Sequence, residues 1–96
     1  MSPERAAGLG GRGAVEVALR GGKHLQIKVA GGASLYVDVL AAGATHVRLR
    51  PWGWKHPIDL EIAEVTSAVP AAGAATRSRV DAISVEQRAL EATWPR

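Results

Sequence analysis

The eleven residues VRLRPWGWKHP, numbers 47–57, contain two arginines, a lysine, a histidine and two of the three tryptophans in a 96-residue chain. Indole rings beside cations are what a single-stranded nucleic acid needs, because a base stacks on the ring while its phosphate meets the positive charge. The same residue types are enriched at the centres of protein–protein interfaces. The segment therefore predicts a binding site for single-stranded nucleic acid or for a protein partner.

The prolines and the glycine of this segment predict a loop that follows a strand. Pro51 has no N–H for a sheet ladder, Gly53 frees the backbone between the two indoles, and Pro57 ends the loop. Such a loop does not readily bury two indoles, so we expect at least one to be partly exposed or covered by the C-terminal segment. The alternative is that both fill the ends of a barrel. The predicted binding residues are Lys28, His46, Arg48, Arg50, Trp52, Trp54 and Lys55.

Catalytic and metal chemistry find little support in the sequence. His24, His46 and His56 lack the spacing of a metal site, and the chain has no cysteine. Asp59 and Glu61 stand two apart on one predicted strand, as carboxylates of exposed strand faces commonly do. No nucleophile elbow and no phosphate-gripping loop occurs. We therefore expect no enzymatic activity, no metal and no cofactor.

Alternating hydrophobicity predicts the elements that position this loop. Five segments place an apolar side chain at every second position, and Gly or Pro occurs in every connection between them. They read AVEVALR, HLQIKV, SLYVDVL, HVRLRPW and IDLEI, with Gly21-Gly22 as the first hairpin turn. The pattern predicts a mainly β fold, a small five-stranded antiparallel meander or partly open barrel, with a C-terminal helix.

Composition along the chain predicts four regions. Residues 1–13 are expected to form a flexible arm, 14–66 the β domain, 67–77 an Ala/Pro/Gly-rich linker, and 78–96 a C-terminal helical segment. In the last region Ser84 with Gln87 fits a capping box, and residues 79–83 stay open as a sixth strand. If the whole segment is helical, one stripe packs on the sheet or on another subunit; its members are Val80, Ile83, Gln87, Leu90 and Trp94.

The charge and the small core both favour association. Hydrophobic residues make up 47% of the chain, but there is no Phe and Ala is abundant, so a second copy would supplement a thin core. The net charge is +5 over residues 1–57 and −2 over residues 58–96, which suits a basic face meeting an anionic partner or the acidic end of another copy. No apolar run reaches the ~20 residues of a membrane span, and the first residues lack a signal peptide's apolar core. We expect a cytoplasmic protein with no membrane partner.

These observations predict a function class without an identity. We expect a non-enzymatic, β-rich binding or assembly module that forms a homo-oligomer and binds a protein partner or single-stranded nucleic acid through the basic Trp-containing loop. The alternative is a self-assembling structural scaffold component with no nucleic-acid ligand.

Overall fold

The computed structural model describes residues 13–71, 73 and 76–94. The predicted N-terminal arm, apart from Gly13, lies outside the described residues, as do three linker positions and the last two residues. The elements in chain order are α1 (Ala14–Gly21), β1 (His24–Val29), β2 (Ser34–Ala42), β3 (His46–Pro51), β4 (Ile58–Glu61), a 3₁₀ helix (Ile62–Glu64), β5 (Val65–Pro70) and α2 (Arg77–Glu91).

The five strands form one open antiparallel sheet in the order β4-β3-β2-β1-β5. The first four strands are a meander, and β5 returns to the far side of β1, where Ala68 lies opposite Ile27. The prediction of a mainly β fold with five antiparallel strands and a C-terminal helix is confirmed. Because the sheet is open, β4 and β5 are its two edges.

Alternation along each strand divides the sheet into an apolar and a polar face. Successive side chains of a strand point to opposite faces, and β1 and β3 both alternate exposed with buried positions for most of their length. The turn between β1 and β2 uses Gly31 and Gly32, both at φ +98°, a backbone region that glycine adopts without a steric penalty. The buried core of the strands comprises Leu25, Ile27, Val29, Leu35, Val37, Val47, Leu49, Leu60 and Val65.

The predicted first strand, AVEVALR, is wrong, because these residues form helix α1. Val15 and Leu19 stand four apart, so a helix brings them to one face, and both are buried in the core. Val17, which a strand would have buried beside them, is 65% exposed. The Gly21-Gly22 pair ends this helix instead of turning a hairpin.

The fifth strand lies where the sequence predicted a linker. Residues 67–70 of the predicted linker over 67–77 belong to β5, which pairs with β1. Proline is tolerated in an edge strand, and Pro70 is the last residue of this one. The strand exists because β1 offers a free edge for pairing, which the local Ala, Ser and Pro composition does not reveal.

Helix α2 begins earlier than its capping signal predicted. Thr76 is the N-cap, and its hydroxyl accepts a hydrogen bond from the backbone N–H of Arg79 at 3.4 Å. The capping box at Ser84 is therefore wrong, since Ser84 lies in mid-helix, and residues 79–83 are helix and not a sixth strand. Of the predicted stripe, Ile83 and Gln87 are buried and Trp94 packs against the chain's own core, whereas Leu90 is 42% exposed. Neither described helix is long and apolar enough to cross a membrane.

Candidate functional site

The predicted binding residues divide between the polar face and the loop at its end. His46, Arg48 and Arg50 occupy the exposed positions of β3, and Lys28 is exposed on β1, two strands away. Trp52, Trp54 and Lys55 follow β3 in the connection to β4. The structure therefore brings the β3 cations and the loop together and separates Lys28 from them by the width of β2.

Trp52 packs between the polar face of the sheet and helix α2, and only 5% of it is exposed. Its indole stacks on the Tyr36 ring, with the ring centroids 5.3 Å apart, and its Nε1–H donates to Oδ1 of Asp38 at 2.8 Å. The residue after it, Gly53, has φ +89°, and a Cβ there would lie 2.3 Å from the backbone oxygen of Ser84 in α2. Glycine is thus required for the loop to approach the helix.

Trp54 belongs to the hydrophobic core, and it too is only 5% exposed. Its Nε1–H donates to the backbone oxygen of Gln87 at 2.8 Å, and its ring meets Trp94 edge to face with centroids 5.9 Å apart. Both loop indoles are therefore covered by the C-terminal segment, which was one of the two outcomes expected for them. A base could stack on either ring only after α2 had moved.

Gln87 joins α2 to the sheet where β3 has ended. Beyond Pro51 the connection gives β2 one more backbone hydrogen bond, from the Trp52 N–H to the Tyr36 oxygen at 2.9 Å, and the Gln87 carboxamide bonds to the Tyr36 backbone as well. Its Oε1 accepts from the Tyr36 N–H at 2.6 Å, while its Nε2 donates to the oxygens of Tyr36 at 3.0 Å and Trp52 at 2.9 Å. Because these bonds satisfy buried backbone groups, a glutamine that is only 5% exposed is tolerated here.

Glu91 fixes the other end of the loop to α2. Its carboxylate accepts hydrogen bonds from the backbone N–H groups of Lys55 and His56 at 3.1–3.2 Å. These bonds, first that from Lys55, favour the charged form and hold the pKa of the Glu91 carboxyl below its usual range. The loop is thus held by both Gln87 and Glu91, and its backbone is fixed against the helix.

The cations of the polar face differ in how they are paired. Arg48 Nε donates to Asp59 at 2.9 Å, and this hydrogen bond lowers the pKa of Asp59 and raises that of Arg48. Among the described residues, Lys28, Arg50 and Lys55 form no side-chain hydrogen bond or ion pair, and all three are exposed. Of the predicted binding residues, these three lysines and arginines are therefore available to an anionic partner.

A second polar cluster was missed by the sequence reasoning. His24 Nδ1–H donates to Asp38 Oδ1 at 2.6 Å, the same oxygen that accepts from the Trp52 indole. Strand register places His24 and Arg50 on either side of Asp38. With Val80 and Ser84 of α2 the cluster lines a shallow depression of about 230 Å³. The AGGA turn could have revealed the pair, because a hairpin centred there places His24 near Asp38.

No metal centre emerges from the part of the chain that the structure describes, since no group of three His, Asp or Glu side chains there could hold an ion. Comparison of the chain with protein-family models, with curated proteins and with solved structures finds no match.

Proposed function

We propose that this chain is a non-enzymatic assembly module that associates with copies of itself by pairing the β4 edge of one copy with the β5 edge of the next. The observation that carries the proposal is the open sheet, whose edges β4 and β5 have no further strand beside them among the described residues. An unpaired edge presents a row of backbone N–H and C=O groups, and strand addition satisfies them.

The two edges differ, so their pairing is head to tail. A head-to-tail contact uses two different surfaces of each copy. It produces a ring if the last copy pairs with the first, and a filament with one free edge at each end if it does not. Both edge strands are short, four residues in β4 and six in β5. Short edges restrict pairing to a defined contact and limit uncontrolled aggregation.

The side chains beside the edges are complementary. Glu61 is exposed on β4 and has no ion pair within the described ranges. On β5 the side chain of Val69 is 47% exposed. Lys28 lies one strand inside the β5 edge, opposite Ser67. With strands about 4.8 Å apart, pairing would bring Glu61 of one copy within ~10 Å of Lys28 of the next, about one Debye length at 0.1 M salt.

The helices expose the apolar side chains Val17, Val85 and Leu90, but they present no row of unpaired backbone groups like that of a sheet edge. The buried face of α1 contributes Val15 and Leu19 to the core, and Ile83 and Gln87 of α2 are buried within the same chain. Because Trp52 and Trp54 are buried as well, the loop predicted as the binding site offers mainly Arg50 and Lys55 to a partner. Edge pairing therefore accounts for association better than the indoles do.

The test is the native mass of the chain and of two lysine variants. Val69→Lys places a charge at the β5 edge, and Val85→Lys places the same charge on α2, at a valine that is 63% exposed and belongs to neither edge strand. We expect the wild type and Val85→Lys to sediment as multiples of 10.0 kDa, and Val69→Lys to sediment at 10.0 kDa with an unchanged far-UV circular dichroism spectrum. A monomeric wild type at 200 μM, or an unchanged mass for Val69→Lys, would refute edge pairing.

A second candidate function, binding of single-stranded nucleic acid, is favoured by the three unpaired cations Lys28, Arg50 and Lys55. With both indoles covered, binding would depend on phosphate contacts, so affinity would fall steeply with salt and vary little with base sequence. Anisotropy of a labelled dT20 oligonucleotide tests this. We expect neutral substitution of Arg50 to weaken binding and reduce the salt slope by about one, because one phosphate contact is lost. A flat titration at 50 mM salt excludes this function.

A further inference from the structure

A groove between the end of α2 and the β1–β2 turn has the size and lining of a small-molecule site. Its volume is about 570 Å³, within the ~300–1,000 Å³ range of ligand pockets. Val29 and Leu60 form a buried floor, and Trp94 and Leu90 line it from the C-terminal segment. Leu90 is 42% exposed, so a large apolar side chain faces this space uncovered.

The polar groups of the groove restrict the charge of its occupant. Two described side chains of the lining are polar, Glu64 and Thr93. The Thr93 hydroxyl already donates to the backbone oxygen of Leu90 at 3.1 Å. The Glu64 carboxylate is exposed and has no hydrogen bond or ion pair within the described ranges. A carboxylate beside an indole and an apolar wall attracts a cation and repels an anion.

We propose that this groove binds a small organic cation, an ammonium or guanidinium group carried on an apolar body. The apolar body lies against Leu60, Leu90 and Trp94, and the cationic group lies at the rim beside Glu64. The groove does not involve the cations of the basic face, although its floor includes Leu60 of the edge strand β4.

The probes are phenethylamine, its neutral analogue phenylethanol and its anionic analogue phenylacetate. Trp94 lines the groove while Trp52 and Trp54 are buried, so a change in indole emission reports occupancy mainly through Trp94. We expect saturable binding, with affinity decreasing from the amine to the alcohol to the carboxylate. Glu64→Gln should weaken the affinity for the amine by about fivefold, as expected for the loss of one solvent-exposed ion pair, and should leave the affinity for the alcohol unchanged. Glu86→Gln removes the same charge from an exposed position of α2 outside the lining, and it should change the binding of neither probe.

Leu90→Lys provides the second test, because it places a cation and a longer side chain in the groove at a position that is 42% exposed. It should abolish binding of all three probes, whereas Val85→Lys on the same helix should bind like the wild type. The proposal is overturned if the amine causes no saturable change up to 10 mM, if Glu64→Gln does not alter the preference for the amine, or if Leu90→Lys binds normally.

Discussion

Replacing Gln87 by leucine should remove the main polar attachment of α2 to the sheet. The substitution keeps a side chain of similar size but deletes one acceptor and two donors. The Tyr36 oxygen keeps the hydrogen bond from the Trp52 N–H at 2.9 Å, so two backbone groups lose their partner. They are the Tyr36 N–H and the Trp52 C=O, which were bonded at 2.6 and 2.9 Å.

The expected loss follows from those two groups. Each unsatisfied buried group costs ~1–3 kcal/mol, and the added apolar burial of leucine recovers about 1 kcal/mol, so unfolding free energy should fall by about 3 kcal/mol. That is a large part of the ~5–15 kcal/mol of a typical domain. Urea denaturation followed by tryptophan emission measures it. If α2 undocks first, the emission of Trp54 shifts to longer wavelength before the far-UV signal of the sheet is lost.

A carboxyl in place of the Gln87 amide gives a pH-dependent version of the same test. In Gln87→Glu the introduced carboxyl is buried and faces two carbonyl oxygens, so desolvation and those oxygens raise its pKa in the folded protein above the unfolded value. The folded state then binds the proton more tightly, and stability relative to wild type falls as the pH rises through the raised pKa. The difference in unfolding free energy between Gln87→Glu and wild type should therefore become smaller as the pH is lowered.

The control for both variants is Arg88→Gln, at the exposed neighbouring position, which should stay within ~0.5 kcal/mol of wild type. If Gln87→Leu unfolds within 1 kcal/mol of wild type, the carboxamide does not hold the helix. If Gln87→Glu keeps the same deficit at every pH, the hydrogen-bond pattern assigned to this site is incorrect.

Two further substitutions test the same junction. Gly53→Ala should lower the melting temperature, because alanine is strained at φ +89° and its Cβ would collide with the Ser84 backbone. The control Gly73→Ala should be nearly neutral, because Gly73 has open space around it and no positive φ. Equal melting temperatures for the two variants would contradict the close approach of the loop to α2. Glu91→Gln should make stability fall less steeply as the pH is lowered. The pKa of Glu91 is lower in the folded protein than its ordinary value of 4.5, so the carboxylate stabilises the fold at pH values above 4.5, and this contribution is lost as the pH falls through the lowered pKa. Parallel acid titrations of the wild type and the variant, by circular dichroism, measure the difference, and superimposable curves would exclude the contribution of Glu91.

The sequence by itself determined the four strands of the meander. In β1, for example, Leu25, Ile27 and Val29 alternate with polar residues because one face of the strand meets the core and the other meets water. This signal is local and needs no knowledge of the partner strand. The predicted C-terminal helix was also readable from its apolar stripe, although its first turn, capped by Thr76, was not.

Tertiary pairing decided the two elements that were misassigned. Val15, Val17 and Leu19 alternate like a strand, but Val15 and Leu19 also share a helical face, and eight residues are too few to separate the two periods. Residues 65–70 carry little strand signal, and they are a strand because β1, about forty residues earlier in the chain, offers its free edge. A composition-based linker assignment cannot include such a contact.

The exposure of the two loop indoles was likewise decided by distant residues. The sequence identified Trp52 and Trp54 as side chains that must be either covered or available to a partner, since each is large, apolar and carries one N–H. Which of these holds depends on Gln87 and Glu91, more than thirty positions away, whose hydrogen bonds bring α2 over the loop. Burial is a property of the whole chain, because it is set by what packs on a residue and not by the residue's own neighbours in sequence.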